Sequence, residues 1–295
     1  MNLAIQYLIN GLLAGVIYAT YTTGYSLVLT TSRFMHVCHG GILSISGMLT
    51  WYLCSKHGVP LLAAMAAGII SGIIVGVFLE VFIYRRLRMQ KLPFLLTMIV
   101  SLGCMTVIQS ALAMIFSTTT RYFGNKFMLP SLPVGRYFIP GWQGLCACIT
   151  IALLIGLALF LKHTRIGSEI QSVAANMEMA KLIGIDLDKV YVITMILASF
   201  LAGWIGVVEA VGHGVSPYAG TPFMLVGIVI RALGGPRNTK GLMIAGILYG
   251  VVENMALLFV PSRWAGPFAF VIFVISVMVR ANPQRAALEK LGGGL

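Results

Sequence analysis

Residues 60–84 read PLLAAMAAGIISGIIVGVFLEVFIY, with Glu80 the single charged side chain. A helix that crosses the hydrocarbon core of a bilayer needs roughly 20 predominantly apolar residues, and this stretch supplies them. It stops on Arg85, Arg86, Arg88 and Lys91, a basic cluster suited to an aqueous loop beside a membrane. Read this way, Glu80 lies close enough to that edge to snorkel toward water beside Arg85.

The rest of the chain agrees with this reading. The 295 residues are 59% hydrophobic and 9% charged, whereas a soluble domain carries roughly 25% charged residues. Seven more apolar stretches can span, at about 4–30, 36–55, 93–116, 142–161, 189–212, 241–260 and 264–280. A further piece, 222–234, is too short to cross straight and reads as a short or re-entrant helix, with a tilted span as the alternative. The expected fold is all-α, a polytopic membrane protein of about eight transmembrane helices plus that short helix.

The basic residues orient this arrangement. With the N-terminus outside and 213–230 returning the chain inward, fifteen Lys and Arg face the cytoplasm and five (Lys56, Arg121, Lys126, Arg136, Arg263) face outward. The positive-inside rule selects that orientation and a cytoplasmic C-terminus. It also explains the net charge of +12 without nucleic acid. No charge precedes Arg33, so no basic signal region is expected and the first apolar segment is read as a permanent helix.

Other patterns place packing and loops. Glycines recur four residues apart at Gly11 and Gly15, at Gly68, Gly72 and Gly76, and at Gly246 and Gly250, a spacing that lets helix backbones approach closely within the subunit. Residues 117–141 form a long outside loop, in which Tyr122, Phe123, Tyr137 and Phe138 read as an aromatic collar at the lipid interface. The five cysteines are scattered and odd in number, suggesting neither a disulfide framework nor a metal site. His36, Cys38 and His39 lack a second ligand cluster, so no metal is expected there.

Acidic residues are concentrated elsewhere. Of eight in the chain, Glu169, Glu178, Asp186 and Asp188 fall in 164–188, TRIGSEIQSVAANMEMAKLIGIDLD. Ile166, Ile170, Val173, Met177, Leu182 and Ile183 recur there near helical period, and Gly184 is a natural stop. Lipid-binding helices favour Lys and Arg on the polar face. Here acids balance Arg165, Lys181 and Lys189, so a protein partner fits better than lipid.

The run from Glu178, Met179, Ala180 and Lys181 to Gly184 and Ile185 resembles the Glu-Ala-Ala-x-x-x-Gly loop by which ABC importer permeases dock on their ATPases. With NGLLAGVIYATYTTGYSLVLTTSRFMHVCHG, HTRIGSEIQSVAANMEMAKLIGID, LASFLAGWIGVV and IRALGGPRNTKGLMIAGILYGVVE, nearly the whole chain is similar to the branched-chain amino acid permeases of LivH type. Two departures stand out. Met179 replaces the usual alanine, and His36-Val37-Cys38-His39-Gly40-Gly41 keeps only His39 and Gly40 of the family's Asn-Phe-Ala-His-Gly-acid pattern.

The resemblance implies a single transmembrane permease domain over 1–295, with a coupling loop at about 163–188 and an extracytoplasmic loop at about 117–141. It implies a prokaryotic inner-membrane location, a homologous permease partner, two ABC ATPases and an extracytoplasmic binding protein. Arg165, Glu169, Glu178, Ala180, Lys181, Gly184 and Ile185 would form the ATPase-coupling loop, and His39, Gly40 and Glu253 are candidates for the translocation path. No G-x-x-x-x-G-K-[ST] sequence occurs in the chain, so ATP and Mg would be held by the partners. The cargo stays open among branched-chain amino acids, other amino acids, amides and urea.

Two other classes compete. An ion-coupled secondary transporter or channel could use Glu253, an acid about 12 residues into the seventh span, where charge is costly. An intramembrane enzyme is weaker, because Gly24-Tyr25-Ser26 has no evident histidine partner and H-E-x-x-H is absent. No catalytic residue is assigned.

Overall fold

Apolar sequence in this chain becomes helix, broken where proline, glycine or a basic turn intervenes. In the computed structural model residues 3–124, 130–134, 137–235 and 239–292 are described, with side chains to Met278 apart from Leu132 and Val134. Arg237, Lys126 and Arg136 lie outside the described residues, as do the side chains of Arg280, Arg285 and Lys290. The helices are α1 Leu3–Ser32, α2 His39–His57, α3 Leu61–Phe78, α4 Arg85–Met89, α5 Phe94–Phe116, α6 Gly141–His163, α7 Arg165–Ala175, α8 Met177–Leu182, α9 Leu187–His213, α10 Gly220–Gly234, α11 Thr239–Ala256 and α12 Ser262–Gly292. Among the described residues five helical stretches are long and apolar enough to cross a membrane, namely Leu3–Ser32, Leu61–Met89, Phe94–Phe116, Gly141–His163 and Leu187–His213.

The other expected spans are helical too. α10 and the apolar part of α12 are shorter, while α2 is diluted by His39, Ser44, Ser46 and Thr50. Those four side chains are fully buried, so the polarity of α2 is spent inside the protein and not on lipid. The third segment also runs further than its apolar sequence suggests. Leu79–Tyr84 winds as a π-helix, in which the Arg85 amide donates to the Glu80 carbonyl, and the helix continues through α4.

The chain divides into two compact units, Thr23–Met224 and Met1–Thr22 with Leu225–Leu295. In the larger unit α2, α3 and α9 pack on one another. Gly68, Gly72 and Gly76 line the approach of α3, lying beside Thr50, Ser46 and Ser199 respectively. Thr50 returns its hydroxyl to the Ser46 carbonyl at 2.8 Å, which removes a donor that would otherwise be stranded. The expected within-subunit use of these glycines is what the structure shows.

The smaller unit uses the same device. A methyl on Gly11 would stand 2.8 Å from the Val251 Cα, and one on Gly15 would stand 2.6 Å from the Ile247 Cα. Tyr249 meets Tyr18 and Phe273 edge-on, each with ring centroids 5.1 Å apart.

Part of the 117–141 loop folds into a small antiparallel hairpin, Leu132–Val134 with Tyr137–Ile139. Of the expected aromatic collar, Tyr122 and Phe138 are exposed, but Phe123 is buried in a cluster with Trp51, Leu112 and Val211. The segment turns inward there because the Trp51 indole donates to the Tyr122 carbonyl at 3.2 Å.

Candidate functional site

The stretch 164–188 folds as two helices where its periodicity suggested one. Thr164 caps α7 by accepting from the Gly167 amide at 3.0 Å. Asn176 leaves helical geometry, ends α7, and caps α8 by accepting from the amides of Glu178 and Met179, both at 3.1 Å. An Asn side chain that satisfies two free helix donors favours this break. α8 closes when the Ile185 amide reaches the Ala180 carbonyl at 3.1 Å and the Gly184 amide reaches that of Lys181 at 3.1 Å. Gly184 has φ +85°, the left-handed conformation such a cap demands and glycine adopts without strain.

Asp186 then starts α9, accepting from the amides of Asp188 and Lys189 at 3.1 and 3.3 Å. These donors, the Lys189 amide first, hold its carboxyl below the usual aspartate range.

Burial sorts the apolar stripe into two parts. Ile170, Val173 and Ala180 turn inward and cluster with Val190 and Tyr191, with Ile185 and Leu187 packed alongside. Met179, Leu182 and Ile183 turn out, at 55%, 79% and 71% exposure, alongside the exposed Glu178 and Lys181. Three large apolar side chains on one turn flanked by opposite charges form a small contact surface of the kind that fills a partner's groove.

Of the coupling residues expected from sequence, Glu178, Lys181 and Gly184 lie at this exposed tip, whereas Ala180 and Ile185 hold it from beneath. Arg165 and Glu169 pair with each other on α7 at 3.5 Å and lie apart from the tip. The sequence reading counted Met179 only as a departure from the family, and it missed the Asn176 break. An Asn two residues ahead of an acid, after Ala174-Ala175, was the available cap signal.

The base of this element is fastened by basic residues. Arg33, at φ +59°, reaches the Ala174 carbonyl near the end of α7 with Nη2 at 3.3 Å. Arg85 pairs with Asp188 at 2.7 Å. Glu80 pairs with Arg88 and not with the expected Arg85; it is 1% exposed and so does not snorkel to water. Glu80 lies at the start of the π-helix Leu79–Tyr84 and faces the protein interior. The Arg88 guanidinium also lies 4.0 Å from the centre of the Tyr191 ring on α9.

The candidates for a translocation path fall in different units. His39 is fully buried at the start of α2, its ring 5.6 Å from that of His36 and 6.4 Å from that of Tyr25. It is therefore a neighbour of Gly24 and Tyr25 that linear spacing concealed. Gly40 sits where a methyl would be 2.6 Å from the Gly220 carbonyl oxygen. His36 Nδ1 lies 2.9 Å from the Tyr84 hydroxyl, which lies 2.9 Å from Ser101 Oγ; that oxygen accepts from the Cys38 amide at 3.0 Å. In the smaller unit Glu253 is half-buried on α11, beside Gly266 of α12. No group of three potential metal ligands occurs among the described residues.

Residues 7–277 match the family described as branched-chain amino acid transport system / permease component, and the chain belongs to that family. It is 25% identical over 308 residues to the high-affinity branched-chain amino acid transport system permease protein LivH of Salmonella typhimurium, covering 97% of each chain. With the corresponding protein BraD of Pseudomonas aeruginosa it shares 26% identity over 289 residues, covering 94% of each. The D-allose transport system permease protein AlsC of Escherichia coli is 25% identical over 225 residues, 73% of this chain and 65% of that one. With its apolar helices, membership makes this a multi-pass membrane transport subunit.

Proposed function

We propose that this chain is the membrane permease subunit of an ABC importer for branched-chain amino acids or closely related small amino acids and amides. The observation that carries the reading is the exposed tip of α8, with Met179, Leu182 and Ile183 beside Glu178 and Lys181. Caps at both ends make it rigid, and ion pairs fasten its base. A self-sufficient carrier has no use for such a knob, whereas a motor-driven one needs a handle on its cytoplasmic side.

In this reading the chain crosses the prokaryotic inner membrane with its N-terminus outside and C-terminus inside, through about eight spans and the short helix α10. It pairs with a homologous permease subunit and receives cargo from an extracytoplasmic binding protein. Two ATPases hold ATP and Mg and close on each other. Their movement pushes α8, and Arg85 with Asp188, and Arg88 with Tyr191, pass that displacement to α9 and to the π-turn. His39, Gly40 and Glu253 line or gate the path.

The test is recovery of the chain from its native membrane in mild detergent, with co-purifying subunits identified by mass. An ABC ATPase is expected with the wild type and is expected to be lost with Glu178→Arg combined with Gly184→Trp, while the folded yield holds. Recovery of the chain alone from a membrane that still transports would move the assignment to an ion-coupled carrier, and Glu253→Gln would then be the variant to assay.

A further inference from the structure

Where α2 and α5 end, a cavity of about 570 Å³ opens among Trp51, Tyr52, Lys56, Met114, Phe116 and Arg121. Arg121 is held there firmly. Its amide donates to the Val215 carbonyl at 2.7 Å and its carbonyl accepts from the Val215 amide at 2.8 Å. The next residue is tied to α2 through the Trp51 indole. One guanidinium nitrogen, Nη2, donates to the Phe116 carbonyl at 3.0 Å, and the group stands 5.3 Å from the centre of the Trp51 ring.

The remaining donors have less to do. Among the described residues Arg121 Nε is buried without an acceptor, which costs free energy. Among the described residues neither Arg121 nor Lys56 forms an ion pair. In the orientation proposed above the outer side carries five basic residues in the whole sequence, and two of them meet at this one cavity.

The cavity is not a purely aqueous site. Met114 and Ile115, 88% and 71% exposed, continue from it down the outer face of α5, a helix long and apolar enough to span. A ligand that suits both walls has an anionic head and an aliphatic tail. Two cations at one membrane–water boundary favour a head with net negative charge over a zwitterionic one, and the aromatic rings suit the glycerol level of a bilayer.

We propose that this cavity binds the headgroup phosphate of an anionic glycerophospholipid, between Arg121 and Lys56, with an acyl chain lying along Met114 and Ile115 of α5. The lipid would seal the outer junction of α2 and α5.

The experiment uses the full chain with the subunits that co-purify, stripped in neutral detergent and offered equal amounts of phosphatidylglycerol and phosphatidylcholine. Retained lipid is counted by native mass spectrometry. Wild type is expected to prefer phosphatidylglycerol, and Arg121→Gln and Lys56→Gln are each expected to lower the preference about fivefold. Lys56 is exposed, so its variant tests the site even if Arg121→Gln misfolds. Arg263→Gln, which removes another exposed cation, is expected to leave the preference intact. No preference in the wild type, or an equal loss in Arg263→Gln, would overturn the proposal. So would full displacement of the lipid by millimolar inorganic phosphate, which would make the site one for a free anion.

Discussion

The α2–α3–α9 nucleus and the α7–α8 element belong to the same unit and are held by opposite means. In the nucleus the decisive positions have no side chain: Gly206 lies against the Leu43 backbone, and Gly203 faces Ser46 and the backbone of Ile69. Around α8 the decisive positions are polar side chains and one left-handed glycine, namely Thr164, Asn176, Gly184 and Asp186. The difference follows from the solvent. Between helices in lipid, apolar side chains gain little by meeting each other, so close backbone contact must supply the attraction. At the aqueous end free amides and carbonyls are exposed to competition, so caps decide where helices start and stop.

That contrast can be broken most sharply in the nucleus. Gly206→Val would drive two methyls into the Leu43 backbone, which has no rotamer by which to yield. We expect loss of folded protein, read as the absence of a monodisperse peak after detergent extraction. A normal yield and an unchanged Tm would show that α2 and α9 can separate there.

Next in size is the buried pair at the end of the third segment. Glu80→Ala leaves Arg88 mostly buried without its carboxylate, a change that costs about 3 kcal/mol. A clear fall in Tm is expected, and adding Arg88→Met should recover much of it. If the single variant were neutral, Glu80 would not be the anchor of the π-turn.

Smaller effects belong to the caps. Asn176→Ala removes the acceptor for two amides and should lower stability by about 1 kcal/mol. Hydrogen exchange of the Glu178 and Met179 amides is the local readout, and it should rise while the nucleus stays protected.

The smallest effect is that of pH on Asp186. Its carboxyl is held below the ordinary aspartate value by the amides of Lys189 and Asp188, so the folded state favours the ionised form. The extra stability of wild type over Asp186→Ala should therefore be complete above about pH 5, where unfolded aspartate is also ionised. It should decline as pH falls through the depressed folded value. A difference in Tm that grew as pH fell would reverse the assignment.

Much of this was legible in the linear sequence, for local reasons. Residues 60–84 announce a span by composition alone, and Gly184 announces a helix stop because few other residues tolerate φ +85°. Clustered charge over 164–188 marked a polar segment between apolar ones. The break at Asn176 was visible only in outline, since hydrophobic periodicity carries across a cap and conceals the interruption.

What composition, periodicity and charge determined by themselves is a helical membrane protein with a charged loop between apolar segments, because transfer of residues from water to lipid is a property of each segment alone. What only the tertiary structure decided is partnership. It pairs Glu80 with Arg88 instead of Arg85, turns Phe123 inward, sets His39 beside Tyr25, and brings Lys56 and Arg121 to one cavity although 65 positions separate them. These depend on distances in three dimensions, and the Glu80–Arg88 pair also on the π-turn between its members, none of which the hydrophobic pattern records.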